Sequence, residues 1–216
     1  MIRALLLDLD NTLYDYASCN EPAVDAMLEL AEQQLQIPKA KLAVECASAR
    51  DRVKQWLPSV AAAHSRLLYL QNMIERLTGK THPEVALSLH DTFWNAYFTH
   101  MNLHAGVKDV LRAVKEKGIK IIILTDLTAE IQFKKLIHLG LVDVIDAVVT
   151  SEEAGADKPH PKMFSLALQK AGCTAAECLV VGDNVETDIV GAQQAGMRCA
   201  LVQHPQDLQI IFAELR

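Results

Sequence analysis

The sequence predicts an α/β protein in which a parallel sheet is interrupted by an inserted helical segment, and three observations carry this. Short apolar runs at Ile2–Leu7, Ile119–Leu124, Val144–Val149, Cys178–Val181 and Arg198–Val202 suit strands buried on both faces of a parallel sheet. From residue 106 these runs alternate with helical stretches, the pattern of right-handed βαβ units. Residues 15–102 carry only helical signals, so the expected division is a sheet domain at 1–14 plus 103–216 and an inserted helical domain at 15–102.

The first strand, interrupted only at Arg3, stops at two carboxylates, Asp8 and Asp10. A spacing of two on extended backbone points both side chains the same way. Acidic groups that close repel unless a cation separates them or one takes a proton, so the pair asks for a metal, an acid/base role, or both. The strand's carboxyl end is also the edge of an open α/β sheet where ligands bind. A strand followed by an ordinary Asp/Asn turn reads the same way in isolation, and the later motifs decide between the two.

Pro22 sits near an expected helix start, followed by Val24, Met27, Leu28, Ala31 and Leu35 at helical spacing until Ile37–Pro38. Further helices are expected near 39–56, 59–78 and 83–101, punctuated by Trp56–Leu57–Pro58 and by the turn ending at Pro83. Phe93, Trp94, Tyr97 and Phe98 follow helical spacing and read as core. Gly106 opens a helix with Val107, Val110, Leu111 and Val114 on one face, closed by a basic last turn and Gly118. The strand to Leu124 ends at Thr125–Asp126. A helix from Thr128 to His138 stops at Gly140, and the strand to Val149 leads into a loop holding Lys158–Pro159. A helix over Pro161–Ala171 precedes the strand that runs into Gly182–Asp183 and Asp188, followed by a helix to Ala195 and the last strand.

Composition narrows the function. The 216 residues are 50% hydrophobic and 5% aromatic, an ordinary globular balance. The net charge of −6, without a Lys/Arg cluster, argues against nucleic acid as the main partner. No apolar run approaches the ~20 residues of a membrane span. The five cysteines, Cys19, Cys46, Cys173, Cys178 and Cys199, show no metal spacing, and no signal-peptide pattern opens the chain; reduced thiols and a cytoplasmic location are expected. The eight histidines are scattered without ligand spacing.

Four polar signals each lie just past an expected strand: Asp8/Asp10, Thr125, Lys158 and Asp183/Asp188. Parallel strands would bring all four to one sheet edge. Asp-x-Asp-x-Thr at Asp8–Thr12, Thr125 after an apolar strand, Lys158–Pro159, and Gly182–Asp183 with Asp188 five residues on give the chain a resemblance to the haloacid dehalogenase-like hydrolase superfamily, in its phosphatase branch. The resemblance spans essentially the whole chain. It implies a Rossmann-like core with a helical cap inserted after the first motif, and a Mg²⁺-dependent phosphatase acting on a small phosphorylated metabolite.

A phosphate monoester repels nucleophiles, so its hydrolysis needs positioning and charge neutralisation. The resemblance implies Asp8 as the nucleophile that forms an aspartyl-phosphate, and Asp10 as the group that protonates the leaving alcohol and then activates water. Thr125 and Lys158 would hold phosphoryl oxygens. Mg²⁺ suits Asp8, Asp183 and the main-chain carbonyl of Asp10 as ligands, with Asp188 acting through metal-bound water. Asp126 stands where the family commonly has Asn; its backbone amide is expected to contact the ligand, its side chain turned away or capping the next helix. Polar residues interrupting apolar helix faces in the cap, Asn20, Arg50, Arg52, His64 and Arg66, are candidate substrate readers against a reading as solvated surface residues. A phosphomutase, a 2-haloacid dehalogenase of the same fold and a non-catalytic regulatory protein are the alternatives, and a monomer or homodimer is expected.

Overall fold

A computed structural model describes residues 1–213. The chain divides into two units, Met1–Asp15 with Asn102–Arg216, and Tyr16–Met101. The first unit holds a parallel sheet of β1 (Ala4–Leu7), β2 (Lys120–Thr125), β3 (Ala147–Thr150), β4 (Cys178–Gly182) and β5 (Arg198–Leu201), in the order β3-β2-β1-β4-β5. β1 is central, with Leu6 opposite Ile122 on one side and Val180 on the other. A central strand must be apolar on both faces, and Leu5, Leu6 and Leu7 are all fully buried. Each contributes about 1.5–3 kcal/mol relative to exposure.

The second unit is helical: α1 (Tyr16–Leu35), α2 (Lys39–Trp56), a 3₁₀ turn at Ala61–His64, α3 (Arg66–Thr78) and α4 (Pro83–Thr99). The first helix starts well before Pro22, which lies inside it. Cys19, Ala23, Met27 and Ala31 form one buried stripe that already runs through the turn before the proline, so packing outweighs the missing N–H. It ends where Gln36 turns left-handed at φ 56. The single helix expected at 59–78 is broken at Ser65, whose extended backbone and Oγ, accepting from Leu68 N at 3.4 Å, make a new helix start. Phe93, Trp94 and Tyr97 are buried on α4, with Phe93 and Trp94 edge to face at 5.0 Å.

In the first unit follow α5 (Val107–Glu116), α6 (Ala129–His138), α7 (Ser151–Ala154), α8 (Pro161–Ala171), a π-helical segment Val185–Val190 leading into α9 (Gly191–Gln194), and α10 (Pro205–Ala213). One sheet face forms a core of Leu6, Ile122, Leu124, Val149 and Val180 with Met163, Phe164 and Ala167 of α8. β3 begins later than its apolar run, because Val144 is held in a turn by Leu141 and Asp146 makes the first contact with β2: Asp146 N donates to Ile121 O at 2.7 Å, and Ile121 N donates to Asp146 Oδ2 at 2.9 Å. The expected loop after β3 contains α7, capped by Thr150, whose Oγ1 accepts from Glu153 N at 3.2 Å.

Candidate active site

The sheet order places the ends of β1 and β4 side by side, so Asp8 and Asp183 leave the sheet as neighbours. Asp8 continues the ladder for one residue through its N–H to Val181 O at 3.0 Å, and its side chain is buried. The chain then reverses at Asn11, with φ 65, a left-handed conformation that Asn tolerates better than most residues. The reversal returns Thr12 beneath the strand end. Its hydroxyl lies 3.0 Å from Oδ2 of Asp8 and 3.4 Å from Oδ1 of Asp183.

Lys158 supplies the cation of the cluster. Its buried ammonium donates to Oδ1 of Asp8 at 2.6 Å and to Oδ1 of Asp188 at 2.7 Å. Asp188 is carried by the π-helical segment, and its other oxygen accepts from Asn184 N at 3.1 Å. Burial works against the Lys158 ammonium, but Asp8, Asp188 and Asp126 outweigh it and hold its pKa above the usual lysine range. Burial, opposed by Lys158 and reinforced by Asp188, raises the Asp8 carboxyl above the usual carboxylate range. Burial and Asp188 also raise the Asp183 carboxyl from its ordinary value.

Asp8, Asp183 and Asp188 each bring a carboxylate oxygen within 4.8 Å of the others. One ammonium cannot neutralise three carboxylates, and all three donors are hard oxygens, so the donor set fits a hard divalent cation. Of the four aspartates expected to hold a metal, these three come together through their side chains. The carboxylate of Asp10 faces elsewhere: both its oxygens accept from Lys135 Nζ at 2.7 Å, and Oδ1 also accepts from Tyr14 Oη. Only its main-chain carbonyl, the group assigned to metal in the sequence, is left for that purpose.

Thr125 ends β2 with its hydroxyl buried, held by Gln132 Nε2 at 2.8 Å. The same Nε2 donates to Asp126 O at 2.6 Å. The Asp126 side chain is turned into the protein, and the capping alternative for it is incorrect. Its Oδ1 accepts from Ser151 Oγ at 2.9 Å and Lys158 N at 2.8 Å, clamping the loop that delivers Lys158. The start of α6 is capped instead by Glu152, whose Oε2 accepts from Ala129 N at 2.8 Å. Burial raises the Asp126 carboxyl, with Lys158 opposing.

Gln132, Lys135 and Tyr14 were absent from the sequence-derived site. A signal for Lys135 was present: it falls on the stripe Ile131, Lys135, Leu139, whose other members are buried, and a lysine on an apolar stripe requires a buried partner.

In the second unit the candidate readers separate into two groups. Arg66 Nη2 donates to Tyr16 Oη at 2.6 Å and to Asn20 Oδ1, and its guanidinium lies 4.3 Å from the centre of the Phe93 ring. Arg50 faces the Tyr69 hydroxyl. Arg52 is instead neutralised by Glu45 and donates to Asn72 Oδ1 at 2.8 Å, and His64 closes the 3₁₀ turn.

Residues 2–196 match the family model of the haloacid dehalogenase-like hydrolases. The chain is 41% identical over 202 residues to a ribulose-1,5-bisphosphate 5-phosphatase from Halopiger xanaduensis, covering 93% of this chain and 84% of that protein. It is 30% identical to a glyceraldehyde 3-phosphate phosphatase from Methanopyrus kandleri, covering 91% and 82%. Among solved structures, a 2-haloacid dehalogenase from Pseudomonas syringae aligns over the full length of both chains with a TM-score of 0.75 and 25% identity. An HAD phosphatase from Thermococcus onnurineus aligns over 94% of this chain and 86% of its own, with a TM-score of 0.69 and 22% identity. The four motif clusters gathered at one sheet edge therefore sit in a protein that belongs to the haloacid dehalogenase-like hydrolase family.

Proposed function

We propose that the chain is a phosphatase that hydrolyses the phosphate monoester of a small phosphorylated sugar through an aspartyl-phosphate on Asp8. The observation that carries this reading is the Asp8 carboxylate, buried at the end of β1 with Lys158 on one oxygen and Thr12 on the other. Both donors fix the carboxylate, as an in-line attack on phosphorus requires. Lys158 offsets charge on the transferring phosphoryl group, and Thr125, aimed by Gln132, offers its hydroxyl to a phosphoryl oxygen. Asp10 gives its proton to the leaving alcohol and takes one from the water that cleaves the acyl phosphate. Mg²⁺, held by Asp8, Asp183, the carbonyl of Asp10 and, through water, Asp188, would supply positive charge at the phosphoryl oxygens. The second carboxylate at Asp10 and the acidic trio favour this over halide displacement, which needs neither.

The names of the relatives point to ribulose 1,5-bisphosphate and glyceraldehyde 3-phosphate as first candidate substrates. Discrimination among sugar phosphates is assigned to the helical unit as a cap, with Arg66, Asn20 and Arg50 as its readers. Support comes from Arg66, whose contacts are all to neutral partners, leaving its charge without a carboxylate among the described residues. Arg52 is a weaker reader because Glu45 already neutralises it.

The test is phosphate release from these two sugar phosphates and p-nitrophenyl phosphate with Mg²⁺, alongside halide release from a 2-haloacid, for wild type, Asp8→Asn and Arg66→Ala. The reading expects phosphate release that Asp8→Asn abolishes. Arg66→Ala should lose far more kcat/KM on the best sugar phosphate than on p-nitrophenyl phosphate. Metal-independent halide release, or phosphatase activity in Asp8→Asn within tenfold of wild type, would refute it.

A further inference from the structure

α6 carries two polar side chains at a spacing of three, Gln132 and Lys135, and both are buried. That spacing puts them on one helix face. Gln132 reaches Thr125 and the carbonyl of Asp126, while Lys135 reaches Asp10. One helix therefore braces two separate parts of the site. Lys135 is the costlier of the two, because its side chain is 1% exposed and a lysine ammonium is rarely taken out of water without compelling pairing.

The partner arrangement is specific. Lys135 Nζ stands 2.7 Å from both oxygens of Asp10, so it fixes the rotation of the carboxyl group as well as its position. Tyr14, packed with its ring 5.9 Å from the same ammonium, donates to Oδ1. Asp10 itself is 30% exposed through its side chain, and the surface it presents is the one not covered by Lys135 and Tyr14. No other cation among the described residues pairs with Asp10, because Lys158 is committed to Asp8 and Asp188.

We infer that Lys135 is a positioning residue for the proposed phosphatase reaction, acting through Asp10 by holding both oxygens of its carboxyl group. It is not a second phosphate-binding lysine. The inference rests on the functional reading above, in which Asp10 moves the protons. Lys158 stands against the nucleophile Asp8 itself, whereas the two short bonds of Lys135 both go to the oxygens of Asp10, the group that handles the protons. A lysine with only a structural role would be indifferent to what Asp10 does.

These roles separate in a double-mutant cycle on p-nitrophenyl phosphate using wild type, Lys135→Met, Asp10→Asn and the double variant, with Lys135→Arg as the conservative control. Lys135→Met should lower kcat about 10–100-fold, the usual range for a residue that orients an essential group, with KM within about threefold. Lys135→Arg should recover part of that loss. In the Asp10→Asn background, adding Lys135→Met should change kcat by less than about threefold, because the group it positions is no longer functional. Multiplicative losses in the double variant, a rise in KM without loss of kcat, or a Lys135→Met enzyme as fast as wild type would each overturn the inference. If Lys135→Met does not fold by far-UV circular dichroism, Lys135→Gln takes its place in the same cycle. Wild-type protein inactive on every phosphate ester overturns the functional reading and this inference with it, whereas active wild type with multiplicative losses overturns this inference alone.

Discussion

Lys158 and Thr12 divide the carboxylate of Asp8 between them, the ammonium at 2.6 Å from Oδ1 and the hydroxyl at 3.0 Å from Oδ2. The division has opposite consequences for the two donors. Thr12 contributes a neutral hydrogen bond, while Lys158 is the only positive charge bonded to Asp8 and Asp188 among the described residues. Replacing Lys158 by Met should therefore leave two buried carboxylates uncompensated and destabilise the protein by about 3–5 kcal/mol. The same change should reduce kcat by about 10²-fold or more, as removal of a charge-stabilising donor does. Urea denaturation and initial rates measure both. A stable Lys158→Met protein with kcat within tenfold of wild type would show that Lys158 is dispensable.

The acidic trio makes a related prediction that does not depend on turnover. A divalent cation that binds only the folded protein stabilises it by mass action, about 2.7 kcal/mol at a hundredfold excess over its dissociation constant. Mg²⁺ should raise the melting temperature of wild type, and Asp183→Asn should lose most of that rise because one of its three converging carboxylates is gone. EDTA should abolish turnover, with recovery on adding Mg²⁺. An identical melting temperature with and without Mg²⁺ at millimolar concentration would argue that the trio holds no such ion.

How much of this was visible in the sequence depends on whether a residue's role is local. The meeting of Asp8 and Asp183 at one sheet edge was legible because each ends a strand with a carboxylate that a fold does not otherwise need there; the carboxylate of Asp10, expected to point the same way as Asp8, turns to Lys135 instead. The strands were legible because apolar runs such as Leu5–Leu7 tolerate no other placement. Lys135 and Gln132 were not, for different reasons: the apolar stripe around Lys135 asks for a buried partner but does not name Asp10, 125 positions away, whereas Gln132 reaches back only seven positions to Thr125, a contact that no helix periodicity announces. For the Asp126 side chain the capping alternative failed because its partners are distant, Ser151 and Lys158 lying 25 and 32 positions away. An acidic residue before a helix suggests a cap, and only the fold shows Lys158 N and Ser151 Oγ both donating to it. At Pro22 local chemistry pointed the wrong way, since a buried stripe beginning at Cys19 extended the helix through the proline.

Asp146 yields a prediction with a defined pH window. Burial raises its carboxyl, but the hydrogen bonds from Lys115 and Ile121 N and the charges of Lys115 and Lys120 outweigh this, and the folded pKa lies below the ordinary 3.8. A depressed carboxylate contributes stability that is present above the unfolded pKa and is lost as pH falls through the folded one. Asp146→Asn should therefore lower the denaturation midpoint relative to wild type at neutral pH. The difference should shrink on acidification below about 3.8. The effect is modest because the side chain is partly exposed. A difference between the two proteins that stays constant from neutral pH into strong acid would mean that the hydrogen bond to Ile121 N matters but the charge does not.

Gly182, at the end of β4, tests whether the backbone itself shapes the site. Its φ is not left-handed, so conformational freedom does not explain the glycine. Space does: a Cβ placed there would overlap Cγ and Oδ2 of Asp188 and lie 2.8 Å from its Cβ. Asp188 cannot yield freely, because Oδ1 is bonded to Lys158 at 2.7 Å and Oδ2 to Asn184 N at 3.1 Å, and its helical segment is anchored by Asp188 N to Asn184 O at 3.0 Å. Gly182→Ala should therefore push Asp188 out of the trio without changing any reacting group. A displacement on the order of 1 Å can cost about 10²-fold in rate, and overpacking of this kind costs about 1–3 kcal/mol in stability. The expected result is a folded enzyme with kcat lowered about 10²-fold, a raised Mg²⁺ requirement and a modest fall in melting temperature. Wild-type kcat at wild-type Mg²⁺ concentration in Gly182→Ala would show that Asp188 can move without consequence, and that the trio at this sheet edge is not set by the close approach of the β4 backbone.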